Sequence, residues 1–274
     1  MSSFEFETPG SVSLRISLSG GEVGVETTDA PRVQVELVAL RDNDVTRQAI
    51  EEARVDVVER GGGHEVVVDL KRRSGFLVGR GPKVGVQVRC PEGSDVSVRS
   101  DSADVQARGG LGAVIVKTAS GDVTLDSAAT LRVDAASGDV QAREVAGEVE
   151  LRTASGDVSV RRAGGVLAAN LVSGDLMVDD AAAGLSVNTV SGDVRVRAAG
   201  GGGIRVQSVS GDVHLGIKPG ERLYVDASSV SGTLSSELGL DDAPPSDSTA
   251  PVSELRVRTI SGDLEIVRAA AVAG

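Results

Sequence analysis

A chain of 274 residues with a formal net charge of −12 repels phosphate backbones, so nucleic acid is not an expected partner. The chain has three Phe, one Tyr and no Trp, which disfavours the exposed aromatic rings used by sugar-binding faces and single-strand nucleic-acid platforms. Its one cysteine, Cys90, excludes an intrachain disulfide framework. Because Cys90 ends an alternating apolar run, we expect it to be a buried small hydrophobe.

The N-terminus bears on where the protein acts. The first residues read MSSFEFETPG, without a basic segment followed by an apolar stretch, and nowhere do eighteen apolar residues run together. The sequence therefore predicts a cytoplasmic protein.

Residues 1–90 have no fixed repeat, and we assign them to an N-terminal α+β capping region. Alternating apolar residues predict strands with one buried face, at Val12–Leu18, Val23–Glu26, Arg32–Leu40, Arg54–Val58 and Glu65–Leu70. Between these strands Val45, Ala49 and Ala53 recur at helical spacing. This spacing predicts one short helix from Asp44 to Ala53, with Asn43 or Asp44 as its cap.

A basic island, KRRSGFLVGRGPK, follows at Lys71–Lys83. Its cations and a central aromatic residue make a candidate docking site for an acidic partner or an anionic membrane surface, formed by Lys71, Arg72, Arg73, Phe76, Arg80 and Lys83. The alternative is a solvated hairpin whose apolar triplet packs back on the capping region, because charge runs usually form solvated faces. A protein is the favoured partner over a membrane surface.

From Val84 onward a repeat governs the chain. Ser-Gly-Asp recurs with an aliphatic residue after each Asp, most regularly at Ser155, Ser173, Ser191 and Ser210. Between these signatures lies a second apolar segment, which begins at Leu167, Leu185 and Ile204. The repeat is thus about eighteen residues long and consists of two unlike short strands.

The two-strand repeat predicts the fold. Nine residues per strand is an odd spacing, so each strand needs one corrective residue, and the corner glycine supplies it at little steric cost. In a solenoid like strands stack on like, as this repeat allows. We predict an all-β, single-stranded β-solenoid of about nine two-strand coils over residues 91–268, with residues 1–90 covering the strand edges at its open end. An antiparallel sandwich or barrel is the alternative.

The [TLS]-[AVI]-S-G-D-[VL] repeats, preceded by the VQVRCPEGSDVSVRS segment at Val86–Ser100, resemble the bacterial putative-adhesin family. This family is a domain of unknown function with a toast-rack β-solenoid fold. The resemblance covers roughly Gly10–Val267, implies the solenoid fold and an adhesive role, and brings no catalytic residues. An adhesin acts outside the cell, which conflicts with the predicted cytoplasmic location.

One aspartate per coil falls on the same corner. Stacked like charges repel by about 1 kcal/mol per neighbour in water. Divalent cations bound between successive carboxylates would offset this repulsion, so the column is a candidate metal site. The metal candidates are Asp139, Asp157, Asp175, Asp193 and Asp212. The favoured alternative is that each carboxylate accepts hydrogen bonds from corner backbone amides. The matching serine column lacks an activating base, because His64 and His214 are expected on the surface.

The last coils are interrupted. Residues 239–252 are rich in Pro, Ser and Asp, which predicts a disordered surface loop. The strands that begin at Leu255 and Leu264 are then expected to close the stack, and residues 269–274 form a tail.

These features predict a function without catalysis. We expect a scaffold or interaction module that binds another protein, with no cofactor. One alternative is a structural protein that self-associates end to end through unpaired terminal strands. Another is a polysaccharide-binding or polysaccharide-cleaving β-helix protein, which rests on analogy of fold alone.

Overall fold

The structure is a computed structural model that describes residues 2–60, 63–70, 81–220, 223–238 and 253–269. The predicted disordered loop at 239–252 and residues 71–80 of the basic island lie outside these ranges, as does the tail after Ala269. The chain forms two compact units, residues 1–144 (unit 1) and 145–274 (unit 2).

Unit 1 consists of strands and one helix: β1 (Ser2–Glu7), β2 (Ser13–Thr28), β3 (Arg32–Ala39), α1 (Asp44–Glu51), β4 (Arg54–Arg60), β5 (Gly63–Asp69), β6 (Val84–Pro91), β7 (Asp95–Ser120), β8 (Val123–Ser137) and β9 (Val140–Val145), whose last residue begins unit 2. Unit 2 consists of β10 (Val149–Thr153), β11 (Val158–Ala163), β12 (Leu167–Ser173), β13 (Leu176–Ala181), β14 (Leu185–Ser191), β15 (Val194–Ala199), β16 (Ile204–Ser210), β17 (Val213–Ile217), β18 (Leu223–Ser231), β19 (Leu234–Ser236), β20 (Ser253–Ser261) and β21 (Leu264–Arg268).

The predicted helix is present, with Asn43 as its N-cap. The Asn43 side-chain oxygen accepts a hydrogen bond from the Thr46 N–H at 2.7 Å, which satisfies one of the free donors of the first turn. No helix in the described ranges is long and apolar enough to cross a membrane. Strand β1 was not predicted.

In unit 1 a parallel stack is bordered by antiparallel strands. The first half of β2 pairs in parallel with β5 and with the start of β7, and its second half pairs with β6 and the next part of β7. Parallel coils are therefore already present in the region predicted as a cap. Three strands pair antiparallel to their neighbours: β3 with β6, β1 with β3, and β4 with β5.

In unit 2 like strands lie on like, in register. Leu167 pairs with Leu185, and Leu185 pairs with Ile204 one coil further. On the second sheet Leu176 pairs with Val194, and Val194 with Val213. Each strand therefore pairs with its counterpart two segments along the chain. The predicted β-solenoid is confirmed, and hairpin pairing of neighbouring segments is excluded here.

The order of the last coils differs from the sequence order. Strand β20 pairs with β16 on one side and with β18 on the other, and β21 likewise lies between β17 and β19. The final coil of the sequence is thus inserted beneath the preceding one. The expectation that the Leu255 and Leu264 strands close the stack is wrong, and β18 and β19 form the last coil.

The core of unit 2 is a narrow column of aliphatic side chains. Leu185 and Val187 point inward from one strand and are almost fully buried, and the next coil repeats the pair as Ile204 and Val206. Each fully buried side chain of this size contributes about 1.5–3 kcal/mol of transfer free energy. The buried aliphatic column is therefore the main source of the stability of unit 2.

Candidate interaction surfaces

The aspartate column of unit 2 is a chain of hydrogen bonds between coils. The backbone N–H of each aspartate donates to Oδ1 of the aspartate in the coil below, at 2.8–2.9 Å: Asp175 to Asp157, Asp193 to Asp175, Asp212 to Asp193 and Asp263 to Asp212. The chain ends where the Thr233 N–H donates to Asp263 at 2.7 Å. In unit 1, Asp122 donates to Asp104 and Asp139 donates to Asp122 in the same way.

These bonds bear on the cation hypothesis. A carboxylate that accepts a backbone N–H forms a charge-assisted hydrogen bond, which offsets repulsion between stacked charges. Among the described residues, no group of three or more His, Cys, Asp or Glu is placed to hold a metal ion. This geometry is the one expected if the aspartate carboxylates accept hydrogen bonds from corner backbone amides. A metal-binding role for the aspartates stays a prediction.

The serine column is accompanied by buried hydroxyls. The Oγ1 atoms of Thr118 and Thr153 donate to the carbonyls of Ser120 and Ser155, at 2.8 and 2.9 Å. The threonines thus fix the corner that carries Ser-Gly-Asp.

His214, the histidine of unit 2, lies on the outer face, where its Nδ1 is 2.8 Å from Glu265 Oε2.

A depression of about 600 Å³ lies in unit 1, lined by Glu7, Thr8, Pro9, Ala30, Pro31 and Arg32. The guanidinium of Arg32 is ion-paired with Glu5 at 2.7 Å. Glycoside hydrolysis commonly needs a pair of carboxyl groups across the scissile bond, and this lining offers one. The depression gives no support to the polysaccharide-cleaving alternative.

Most of the predicted docking loop, from Lys71 to Arg80, lies outside the described residues. Lys83 is described and is half-buried. Its backbone N–H donates to Thr46 Oγ1 at 3.3 Å, and its Nζ lies 3.4 Å from the Ser102 carbonyl oxygen. Lys83 is therefore tied to α1 and β7.

One outer face of unit 2 is charged and ion-paired. Along β11, β13 and β15, the register places Arg161, Asp179 and Arg197 in one column, and Arg197 Nη1 lies 3.5 Å from Asp179 Oδ1. In the neighbouring column Asp180 forms ion pairs with Arg162 and Lys218. Opposite charges one or two coils apart therefore compensate each other on this face.

The other outer face of unit 2 carries an exposed aliphatic ladder. One residue before the serine of each corner points outward, and the strand register stacks these residues in the order Val172, Val190, Val209, Ile260 and Val230. They are between 44% and 81% exposed. Beside them runs a polar row in which Asn188 Nδ2 donates to Asn170 Oδ1 at 2.9 Å, followed by Gln207.

The aliphatic ladder was not predicted from the sequence. The sequence feature that could have indicated the ladder is the valine or isoleucine that precedes Ser-Gly-Asp in the motifs Val-Ser-Gly-Asp and Ile-Ser-Gly-Asp. That residue lies on the strand that ends at the corner, and only the alternation along that strand shows that it points outward.

The parallel, in-register coils define the fold of this chain as a β-solenoid. The family model described as Toastrack DUF4097 matches residues 13–267. The chain belongs to this family. A search of curated proteins finds no match to the chain.

Several solved structures are similar to the chain over nearly its whole length. A putative adhesin from Parabacteroides distasonis ATCC 8503 is 13% identical, with 96% of each chain covered and a TM-score of 0.47. A putative lipid binding protein from the same organism is 12% identical, with 97% of this chain and 96% of that chain covered and a TM-score of 0.44. A putative adhesin from Parabacteroides merdae ATCC 43184 is 12% identical, with the same coverage and a TM-score of 0.41.

Proposed function

We propose that this protein is a non-catalytic β-solenoid scaffold that binds another protein through the aliphatic ladder of unit 2. The observation that carries the proposal is the ladder itself. Single exposed aliphatic residues are ordinary on protein surfaces, but a continuous row marks an interaction site. Membership in the Toastrack family supports a binding or scaffold role.

The ladder has the geometry of a preformed docking strip. Stacked strands lie about 4.8 Å apart, so the row from Val172 to Val230 extends over about 20 Å. Its side chains project from hydrogen-bonded strands, so little backbone conformational freedom is lost when a partner binds. The amide row through Asn170, Asn188 and Gln207 supplies a polar rim of the kind that surrounds the apolar centre of protein interfaces.

The contrast between the two faces of unit 2 favours this one. On the charged face Arg197 pairs with Asp179, and Asp180 pairs with Arg162 and Lys218, and a partner would have to replace those pairs. The ladder itself holds only aliphatic side chains, so a partner that binds there displaces water from methyl groups, and the ion pairs of Asp226 with Arg256 and Arg258 lie beside its upper end. Burial of methyl groups is favourable by about 25 cal/mol per Å².

Site-specific photocrosslinking tests the proposal. A photoreactive residue at Val190 should give an adduct with a partner protein in cells, whereas the same residue at Arg197, on the charged face, should not. The captured partner is then purified and titrated against Val190→Lys/Val209→Lys and against Arg161→Gln as the matched control. We expect the first variant to weaken binding by more than about tenfold and the control to bind like the unaltered protein.

The proposal fails if the adducts form equally from both faces, or if Val190→Lys/Val209→Lys binds the purified partner with unchanged affinity. Both substituted positions are exposed, so the melting temperature should not change, and a folding defect can be recognised separately.

A further inference from the structure

The last coil of unit 2 leaves a strand edge open. Strand β18 pairs with β20 and β19 pairs with β21, and no described strand lies on their other side. Tyr224 and Val230, near the two ends of β18, are 66% and 81% exposed, the highest values among the large hydrophobic side chains described. The edge is thus both unpaired and apolar.

Backbone donors at this edge point to where a further coil would lie. In preceding coils the corner glycine N–H donates to a serine carbonyl of the next coil, as in Gly192 to Ser210, Gly211 to Ser261 and Gly262 to Ser231. The N–H after the corner aspartate does the same, as in Val194 to Asp212, Val213 to Asp263 and Leu264 to Thr233. By this pattern Gly232 and Leu234 direct their N–H groups beyond the last coil, where no described residue accepts them.

The inward residues of β18 follow the same rule. The Leu167 and Leu185 N–H groups, at the start of the equivalent strands, donate to the next coil at 3.2 and 3.1 Å. Val225 is the equivalent residue of β18 through its pairing with Leu255. Because alternate residues of a strand direct their backbone groups to the same side, Val225, Ala227 and Ser229 present N–H and C=O groups to an added strand.

The described strands of this edge lack the residues that usually discourage pairing. Natural proteins place lysine, proline or a bulge on exposed edge strands, and β18 and β19 contain neither lysine nor proline. The single charged residue of the two strands, Asp226, is ion-paired with Arg256 at 3.3 Å and with Arg258 at 3.8 Å. The corner that holds aspartate in the coils below holds Thr233 here.

We propose that two copies of this protein associate by antiparallel pairing of β18 with β18 about a two-fold axis at Ala227. A two-fold axis through a residue pairs inward positions with inward positions and so keeps the core continuous. At Ala227 the axis places Tyr224 opposite Val230 of the second copy and Asp226 opposite Ser228. An axis at Asp226 would instead bring two like charges together.

This register makes the edge self-complementary. The Tyr224–Val230 contact forms twice, and each is a cross-strand pair of an aromatic and a β-branched residue, a favourable combination. The outward pairs are the non-hydrogen-bonded ones, in which side chains approach most closely.

Pairing with the same edge is favoured over pairing with an edge of unit 1. The edge strands described there are β1 and β4, which hold Glu5, Glu7, Arg54, Asp56 and Glu59 among their residues. Such charges on an edge discourage strand addition. A same-edge contact closes after two copies and produces a dimer instead of a filament. The dimer edge shares Val230 with the aliphatic ladder, but the partner contact is tested at Val190 and Val209, two or more coils away, so either proposal can fail alone.

The first test is the mass in solution. Light scattering on the intact protein should give twice the chain mass of 27.8 kDa, with dissociation on dilution. A particle of 27.8 kDa at every concentration up to the millimolar range would overturn the proposal.

A charge test then locates the contact. Ser228→Asp puts a carboxylate opposite Asp226 of the second copy, twice per dimer, and should weaken association by about tenfold relative to Ser228→Lys. Gln207→Asp and Gln207→Lys are the matched controls, because Gln207 lies in the same outward column two coils below and should not affect the dimer. Equal dissociation constants for the two Ser228 variants would refute the β18 contact.

A disulfide test fixes the register. The double variant Tyr224→Cys/Val230→Cys should form an intermolecular disulfide under mild oxidation, whereas either single variant should not, because each cysteine would then face the original residue. A covalent dimer from a single variant would contradict an axis at Ala227.

Discussion

Replacement of Gly192 by alanine places a methyl group where the stack of unit 2 has no room for one. Gly192 has a φ of 124°, a region that side-chain-bearing residues rarely adopt. An ideal Cβ at this position would lie 2.1 Å from the carbonyl oxygen of Gly174 and 2.7 Å from its carbonyl carbon. Both atoms belong to the backbone of the coil below, so they cannot move aside without disturbing the stack.

Two contributions add to the expected cost. A non-glycine residue held at strongly positive φ costs about 1–3 kcal/mol, and overpacking against a fixed neighbour costs about 1–3 kcal/mol more. We therefore expect Gly192→Ala to lower the free energy of unfolding by about 2–6 kcal/mol.

Two other glycines separate the contributions. A Cβ on Gly220, whose φ is 86°, would meet nothing within 4 Å, so Gly220→Ala measures backbone strain alone. A Cβ on Gly110 also meets nothing within 4 Å, and its φ lies outside the positive region, so Gly110→Ala should be neutral or slightly stabilising.

Urea unfolding followed by far-ultraviolet circular dichroism is the suitable assay, because the chain has no Trp to serve as a fluorescent probe. The expected order of stability is Gly110→Ala, then Gly220→Ala, then Gly192→Ala. If Gly192→Ala and Gly110→Ala agree to within about 0.5 kcal/mol, the account of the corner is refuted. If Gly192→Ala and Gly220→Ala agree, overlap between the coils plays no part.

Three further predictions concern the aspartate chain, the core and the cysteine. Asp193→Ala should lower the free energy of unfolding by about 1 kcal/mol because Asp212 loses its acceptor, which lies at 2.9 Å. Asp193→Asn keeps an acceptor and should stay close to the unaltered protein; a calcium-dependent rise in melting temperature that Asp193→Ala abolishes would instead favour the cation hypothesis. In urea unfolding, Leu185→Ala in the core should lower the free energy of unfolding by about 2–5 kcal/mol. Val190→Ala, exposed on the same strand, should change it by less than about 0.5 kcal/mol. Equal losses from the two variants would contradict the assignment of Leu185 to the buried face and Val190 to the exposed face. Burial raises the pKa of Cys90 from 9.0 to about 11, opposed by a hydrogen bond with Ser94. The native state therefore keeps a proton that the unfolded state loses, so the stability difference between the unaltered protein and Cys90→Ala should shrink by about 2 kcal/mol as the pH rises from 9.0 to about 11; a pH-independent difference would contradict this.

The sequence was sufficient for the architecture of the repeats. The spacing of Leu167, Leu185 and Ile204 determined which strands stack, because only a like neighbour keeps every apolar residue inward. The recurrent corner glycine indicated where the phase changes, and at Gly174 and Gly192 the backbone has the positive φ this requires. Asn43 was recognisable as a helix cap because its side chain offers an acceptor to the first turn.

The surfaces depended on the tertiary structure. The aliphatic residue before each corner serine was visible in the sequence, but a continuous strip exists only because successive coils align Val190 with its counterparts. Likewise the sequence placed the aspartates on one corner, whereas the donor that each carboxylate accepts depends on the stagger between adjacent coils.

The position of the last coil shows most clearly what only the folded chain decided. An aliphatic pair such as Leu255 and Val257 fits equally well on Ile204 and Val206 or on Val225 and Ala227, because every rung of a repeat presents nearly the same surface. The sequence therefore determined that the rungs stack, while the path of the chain between them determined their order. That order places β18 and β19 at the end of unit 2, because stacking energy depends on the neighbouring rung and not on its place along the chain.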